Sequence, residues 1–454
     1  MTVKLEHDFS SFQDVLGQMS WLRVYIQLCL VFEVNDGPRE DLEYVLEDAC
    51  GRMADAFPFL TGRVVVSNRT KTSTGTVQIL PHRQLVPLAI KDLRNDGFPS
   101  FESLKEQKYP FKWLQPSMLE PPTVSTYAKQ MIMQTWDDSD VAPVFAVQAN
   151  LIDGAILLCL VGHHSLMDMT GLGILVSLFA KALRKEPFTQ QELDDTNRAR
   201  GQIIPLLEPS ELQAAELEDV MLPPSDGSSF SFGGPLPLTV HITFPAASVA
   251  RLKAEASQQT LVPFISTDDA ITAFVWQQVV RARSKRLGPR TVYQVTRACS
   301  LRRAFGVPTY TGHFIDNITI EEVDPHELPL SYIAAKLRAA LSDEKKNIRH
   351  VRALATLIAH SEDNSRILPG AKLHLDKDLV VSSHTNSDCC SWDYGPLGRP
   401  VTARRLLGPS IAGLSYILPK SSDGSLGIGI TLSEEDLAVL KNETILSEYA
   451  GCDW

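Results

Sequence analysis

The stretch from Val144 to Gly171 constrains this chain more than any other. Phe145, Val147, Ala149 and Leu151 alternate with Ala146, Gln148 and Asn150, which is the period of a half-buried strand. Asp153-Gly154 follows as a two-residue hairpin signal. The return run, AILLCLVG over 155–162, is almost wholly apolar, so a strand there must be covered on both faces. A helix is expected over roughly 171–184, carrying Leu172, Leu175, Leu178 and Phe179. Between buried strand and helix stands His163-His164-Ser165-Leu166-Met167-Asp168-Met169-Thr170-Gly171.

The rest of the chain alternates in the same way. Residues 24–34 read as a strand, and Asn35-Asp36-Gly37-Pro38 as a turn and helix start. Leu42, Val45, Leu46, Ala49 and Met53 then share one helical face. Phe57 to Arg63 ends that helix and leads into another strand. Ser266-Thr267-Asp268-Asp269 caps a helix bearing Ile271, Phe274, Val275 and Val279. Further helices are expected at 330–342 and 346–361. Strands at 413–418 and 426–432 flank the Ser422-Asp423-Gly424 turn and precede a helix capped by Ser433 with Asp436. Hairpin then helix thus occurs in both halves, with the His pair in the first alone.

A chain of 454 residues exceeds what one core of ~250–300 residues holds. Residues 201–237 are rich in Pro, Ser, Gly and acidic residues and read as a crossover between domains. The expected division is 1–200, the linker 201–237, and 238–454. The formal charge of −11 argues against nucleic acid and anionic membranes as general partners. Seven scattered cysteines without paired spacing suit a reduced setting. The N-terminus lacks the apolar core of a signal peptide, and the longest apolar run is far short of the ~20 residues that cross a bilayer. A cytoplasmic protein is expected.

The His pair invites chemistry because unperturbed imidazole titrates near pH ~6.5 and the neutral ring accepts a proton. Two polar residues closing an apolar strand is the plainer alternative. A metal site is a rival, but adjacent His side chains on a strand point to opposite faces, and no HExxH follows; no metal is expected. A Ser-His-Asp hydrolase lacks its Gly-x-Ser-x-Gly elbow.

His164-x-x-x-Asp168 followed by Gly171 resembles the signature of the BAHD acyltransferases, and the doubled His is similar to that of the wider superfamily of chloramphenicol acetyltransferases and condensation domains. Asp393-Tyr394-Gly395, continuing Pro396-Leu397-Gly398-Arg399-Pro400, resembles the family's Asp-Phe-Gly-Trp-Gly, with Pro396 where the family has Trp. This form, together with Phe57–Arg63, Ile265–Ala270 running to Trp276, and Leu301-Arg302-Arg303 running to Tyr310-Thr311-Gly312, is most similar to the fungal branch that includes trichothecene 3-O-acetyltransferase.

The resemblance implies an α/β fold of two chloramphenicol-acetyltransferase-like domains, mixed sheets with flanking helices, and an active-site channel at their interface. It implies an O-acyltransferase that uses acyl-CoA, acetyl-CoA first among candidates, as co-substrate and a small-molecule alcohol, a hydroxylated secondary metabolite, as acceptor. No permanently bound cofactor is implied, and a monomer is expected. His164 would be the general base in a direct transfer. Asp168, paired with Arg302, would be structural, as would Asp393 and Gly395. His163, Gly171, Ser382 and His384 are candidates for contacting the acceptor or the oxyanion, and His313 stands where the family pattern has Asn. Arg281, Arg283 and Lys285, or alternatively Arg399, Arg404 and Arg405, are candidates for the coenzyme phosphates. Amide formation, transfer from a carrier-protein thioester, and a non-catalytic binding protein on the same fold remain the alternatives.

Overall fold

The computed structural model describes residues 8–34, 41–121, 124, 142–223, 237–258, 262–406 and 411–452. The turn expected at 35–38 and the Ser/Gly/Pro-rich 224–236 lie outside them.

Strand β1 (Tyr25–Glu33), strand β2 (Phe145–Ile152) and strand β3 (Ala155–His163) form the centre of a five-stranded sheet. The hairpin closes at Asp153-Gly154, and Gly154 adopts a φ of 80°, the left-handed region a side chain resists. β3 lies between β1 and β2, antiparallel to both. Every one of its residues is buried. Leu158 and Leu160 enter the core under helix α1 (Leu42–Ala56) and helix α2 (Met169–Leu183), while Leu157 and Cys159 pack beneath Phe101 and Leu104 on the opposite face. The continuous apolar run is thus explained by two covers, one on each side of the sheet.

The second sheet has seven strands, ordered Ile315–Val323, Val292–Ser300, Leu379–Ser383, Leu414–Ile417, Leu426–Leu432, Leu238–Phe244 and Gly451–Cys452. Helix α3 (Thr267–Leu287) buries Ile271, Phe274, Val275, Trp276 and Val279 against it. Its capping box is formed: Ser266 Oγ accepts from Asp269 N–H, and the Asp269 carboxylate accepts from Ser266 N–H. The hairpin-then-helix layout recurs here, with Ser433 Oγ accepting from Asp436 N–H at the start of Glu434–Lys441.

The expected division of the chain needs two corrections. Strand β4 (Thr402–Arg404) pairs with β1 in the first sheet, and Cys389, Cys390, Tyr394, Leu397 and Ala403 join the first core. The Asp393-Tyr394-Gly395 segment therefore packs with the N-terminal half, not within a 238–454 unit. Nor are residues 201–237 a bare linker. Ile204, Leu207, Leu217 and Val220 form a third core with Leu16, Leu22, Tyr310, Phe314 and helix α4 (Glu344–His360). Apolar side chains at irregular spacing inside a Pro-rich run carry no period, so composition alone misplaces them.

Candidate active site

His163 and His164 end β3 but diverge at once. His163 is fully buried, its Nδ1 accepting from Ser165 N–H at 3.3 Å and its ring set edge-on to Tyr25. It faces the core, which removes it from the acceptor candidates. His164 leaves the strand at the turn and is half-buried. Its main chain is tied to Val24, and its Nδ1 lies 3.0 Å from the Met167 carbonyl. A carbonyl only accepts, so Nδ1 carries the proton and Nε2 keeps its lone pair. Trp21 stands edge-on at 6.0 Å between ring centroids, and the His313 ring lies at 5.2 Å. Burial, then the neighbouring His313, push the His164 pKa down to about 3, with the Arg405 charge adding to the effect. The ring is therefore neutral at cellular pH.

Asp168 caps α2, and its hydrogen bonds go elsewhere than to His164. Its Oδ1 accepts from Gly171 N–H at 2.9 Å and from Arg302 Nη2 at 2.8 Å, and its Oδ2 accepts from Phe314 N–H at 2.7 Å. Both partners of the ion pair are almost fully buried. Burial alone would raise the Asp168 pKa, but Arg302, His313 and the two N–H bonds outweigh it and hold the carboxyl below its usual range. Arg302 also donates to the carbonyls of Tyr310 and Gly312. Gly171 is needed for closeness: a Cβ there would stand 2.1 Å from the Thr311 carbonyl oxygen. Its N–H is already taken by Asp168, which removes Gly171 as an oxyanion donor.

Ser382 Oγ and His384 Nε2 are 3.2 Å apart, and His384 is buried beside Tyr416. His384 lines a cavity of about 170 Å³ together with Ser383, Ser387, Met169, Thr170 and Gly173, so the cavity runs between α2 and the second sheet. Arg405 stacks over Tyr416 at 4.1 Å. From the sequence it belongs only to a basic cluster; nothing there places its charge near His164 and His384.

Asp393-Tyr394-Gly395 sits at the far end of α2. Arg184 donates to the Asp393 carbonyl, Gly395 N–H donates to Asp393 Oδ1, and the Tyr394 ring is buried against Phe32. Gly395 has a φ of 60°, and a Cβ there would lie 2.8 Å from the Leu183 carbonyl oxygen. The phosphate cluster on α3 does not hold together. Arg283 is buried with Asp436 and the Asp378 carbonyl, Arg281 donates to the His326 carbonyl, and Lys285 lies exposed near Glu443. Residues two apart on a helix face different ways, so the three do not converge on one anion. Among the described residues, no group of three His, Cys, Asp or Glu is placed to hold a metal, and no helix is long and apolar enough to cross a membrane.

Against known proteins, residues 119–446 match the Transferase family, and residues 24–183 match the trichothecene 3-O-acetyltransferase-like N-terminal domain. This chain belongs to the Transferase family, the BAHD acyltransferases. It is 34% identical to O-acetyltransferase dmxR13 of Cryptosporiopsis sp. over 98% of both chains. It is 30% identical to trichothecene 3-O-acetyltransferase TRI101 of Fusarium sporotrichioides over 96% of both. The F. graminearum TRI101 structure complexed with coenzyme A and deoxynivalenol matches it with a TM-score of 0.89 at 27% identity, covering 97% of this chain and 99% of that one. The BAHD chain is an acyltransferase of the two-domain fold that the motifs led one to expect.

Proposed function

We propose that this acyltransferase moves an acetyl group directly from coenzyme A to a hydroxyl of a small secondary metabolite, with His164 as general base. The observation that carries the reading is the pinned tautomer. With Nδ1–H held by the Met167 carbonyl, Nε2 is the one basic site of a ring that is neutral and half-open. Nε2 takes the acceptor's proton as its oxygen attacks the thioester carbonyl. The tetrahedral oxyanion forms beside the new imidazolium, and the two opposite charges stabilise each other. On collapse, the imidazolium returns its proton to the departing thiolate. Names of relatives support the donor and acceptor classes: TRI101 was solved with coenzyme A and T-2 mycotoxin or deoxynivalenol, and dmxR13 and TRI101 are O-acetyltransferases.

Asp168 contributes by capping α2 and holding the 310–314 loop through Arg302, at a distance from the chemistry. Ser382 and His384, 3.2 Å apart, are assigned as hydrogen-bonding groups for the acceptor, His384 lining the cavity beside α2. The test is thiol release from acetyl-CoA with a panel of polyketide and terpenoid alcohols. His164→Ala is expected to lower acceptor-dependent release by ~10²–10⁴ with the fold intact. Equal rates in wild type and variant would remove His164 from the mechanism. An amine accepted in place of every alcohol would replace ester formation by amide formation.

A further inference from the structure

We infer that Asp14 and Arg200 are positioning residues for the base, forming a second buried ion pair behind the His164 loop. This rests on His164 being that base. Arg200 Nη1 lies 2.9 Å from Asp14 Oδ2 and 2.6 Å from the Leu166 carbonyl oxygen. Leu166 precedes Met167, whose carbonyl fixes the His164 tautomer. Asp14 also accepts from the Tyr310 hydroxyl and from the backbone N–H of His313. The His313 Nδ1 lies in turn 3.3 Å from the His164 carbonyl. One carboxylate and one guanidinium thus join three separate segments, 8–24, 164–168 and 310–314, around a single imidazole.

The packing leaves this clamp little freedom. Arg200 and Asp14 are 1% and 4% exposed at their side chains. The guanidinium lies 5.2 Å from the rings of Phe12 and Phe59 and 5.8 Å from that of Tyr310. Arg302 stands at the same 5.8 Å from Tyr310, so both ion pairs grip the ring that starts the 310–314 loop. The N-terminal segment presses on the base loop directly, since a Cβ at Gly17 would stand 1.9 Å from the Ser165 carbonyl oxygen. At Gly312, a Cβ would lie 2.5 Å from Asp14 Oδ1. A shift of Asp14 is therefore transmitted to Ser165, Leu166 and His313 together.

The test compares Asp14→Asn, Arg200→Lys and the milder Tyr310→Phe, which keeps the ion pair and removes one hydroxyl. The expected result for Asp14→Asn is a fall of ~10² in kcat, the scale of a misplaced reacting group, with KM for acetyl-CoA and circular dichroism held. The same change in a His164→Ala background is expected to add nothing. A readout that needs no acceptor is the ¹⁵N-histidine spectrum, with the His164 signal identified by its loss in His164→Ala. Wild type is expected to show the Nδ1–H tautomer alone, and Asp14→Asn a mixture of tautomers. Should Asp14→Asn not fold, Tyr310→Phe and Arg200→Lys carry the same comparison. Unchanged kcat with a single tautomer in these variants, or a loss that persists without His164, would overturn the inference. A wild-type rate in His164→Ala would instead sink the base assignment itself.

Discussion

At the scale of single residues, the charge state of His164 decides how the site behaves with pH. A base must be unprotonated to act, and burial lowers the pKa of this ring to about 3. The acid limb of kcat/KM is therefore expected well below the ordinary imidazole value of ~6.5, with the rate flat from pH 8 down through pH 6. A limb near pH 6.5 that persists in Asp14→Asn, which removes a carboxyl that burial raises to about 6, would show the ring to be solvated in the working enzyme. The Asp168–Arg302 pair makes a different demand. Asp168→Asn leaves the Arg302 charge buried without its counter-ion, and a loss of about 3–5 kcal/mol is expected, read from the urea midpoint at unchanged slope. Arg302→Met on that background should restore part of it. The His164 and Asp168 positions were legible as a motif on a strand-to-helix turn. Asp14 and Arg200 were not: neither belongs to a motif or a periodic segment, and 186 residues separate them.

At the scale of elements, α2 is held at both ends by the two signatures. Asp168 caps its start, and Gly395 meets its last turn at Leu183. Fifteen residues at 1.5 Å each put these ends about 22 Å apart, so the Asp-Tyr-Gly segment stands well away from His164. Gly395→Ala adds a Cβ against backbone at a positive φ, and a cost of about 1–3 kcal/mol is expected. The predicted signature is a lower thermal midpoint, with kcat at low temperature close to wild type. A large loss of kcat without loss of stability would assign the segment to the channel itself. The elements themselves were readable where pattern was dense. The hairpin around Asp153-Gly154 and the helices opened by Ser266 and Ser433 form where turn and capping chemistry mark them. β4 escaped because three residues show no alternation, and its place beside β1 is set by tertiary pairing.

At the scale of the molecule, buried histidines set how stability depends on pH. His163 and His313 have pKa values pushed down to about 3 and about 4 by burial, and those of His241 and His384 are pushed well down by the same cause. For such groups the unfolded chain binds protons that the folded chain refuses, so stability is lost as pH falls below ~6.5, by about 1 kcal/mol each by pH 5.5. His350 has the opposite sign. Burial opposes its charge, but Asp219 and Asp316 raise its pKa to about 10. Its contribution is complete below ~6.5 and fades as pH rises towards 10. The thermal midpoint should therefore rise clearly from pH 5.5 to 6.5 and change little from there to 8.5, where the remaining gain from the neutral histidines offsets the loss at His350. A midpoint no lower at pH 5.5 than at 6.5 would show these histidines to be solvated.

The seat of β4 against β1 also sets a timetable for synthesis. Cys29 and Arg404 are cross-strand partners, yet about 375 residues of chain must leave the ribosome between them, roughly 20–75 seconds at 5–20 residues per second. For that interval β1 presents an open edge, the template on which nascent chains associate. Fragments that stop short of residue 402 keep that edge for good. They are expected to collect in inclusion bodies, while chains that run past residue 404 close the first sheet with β4.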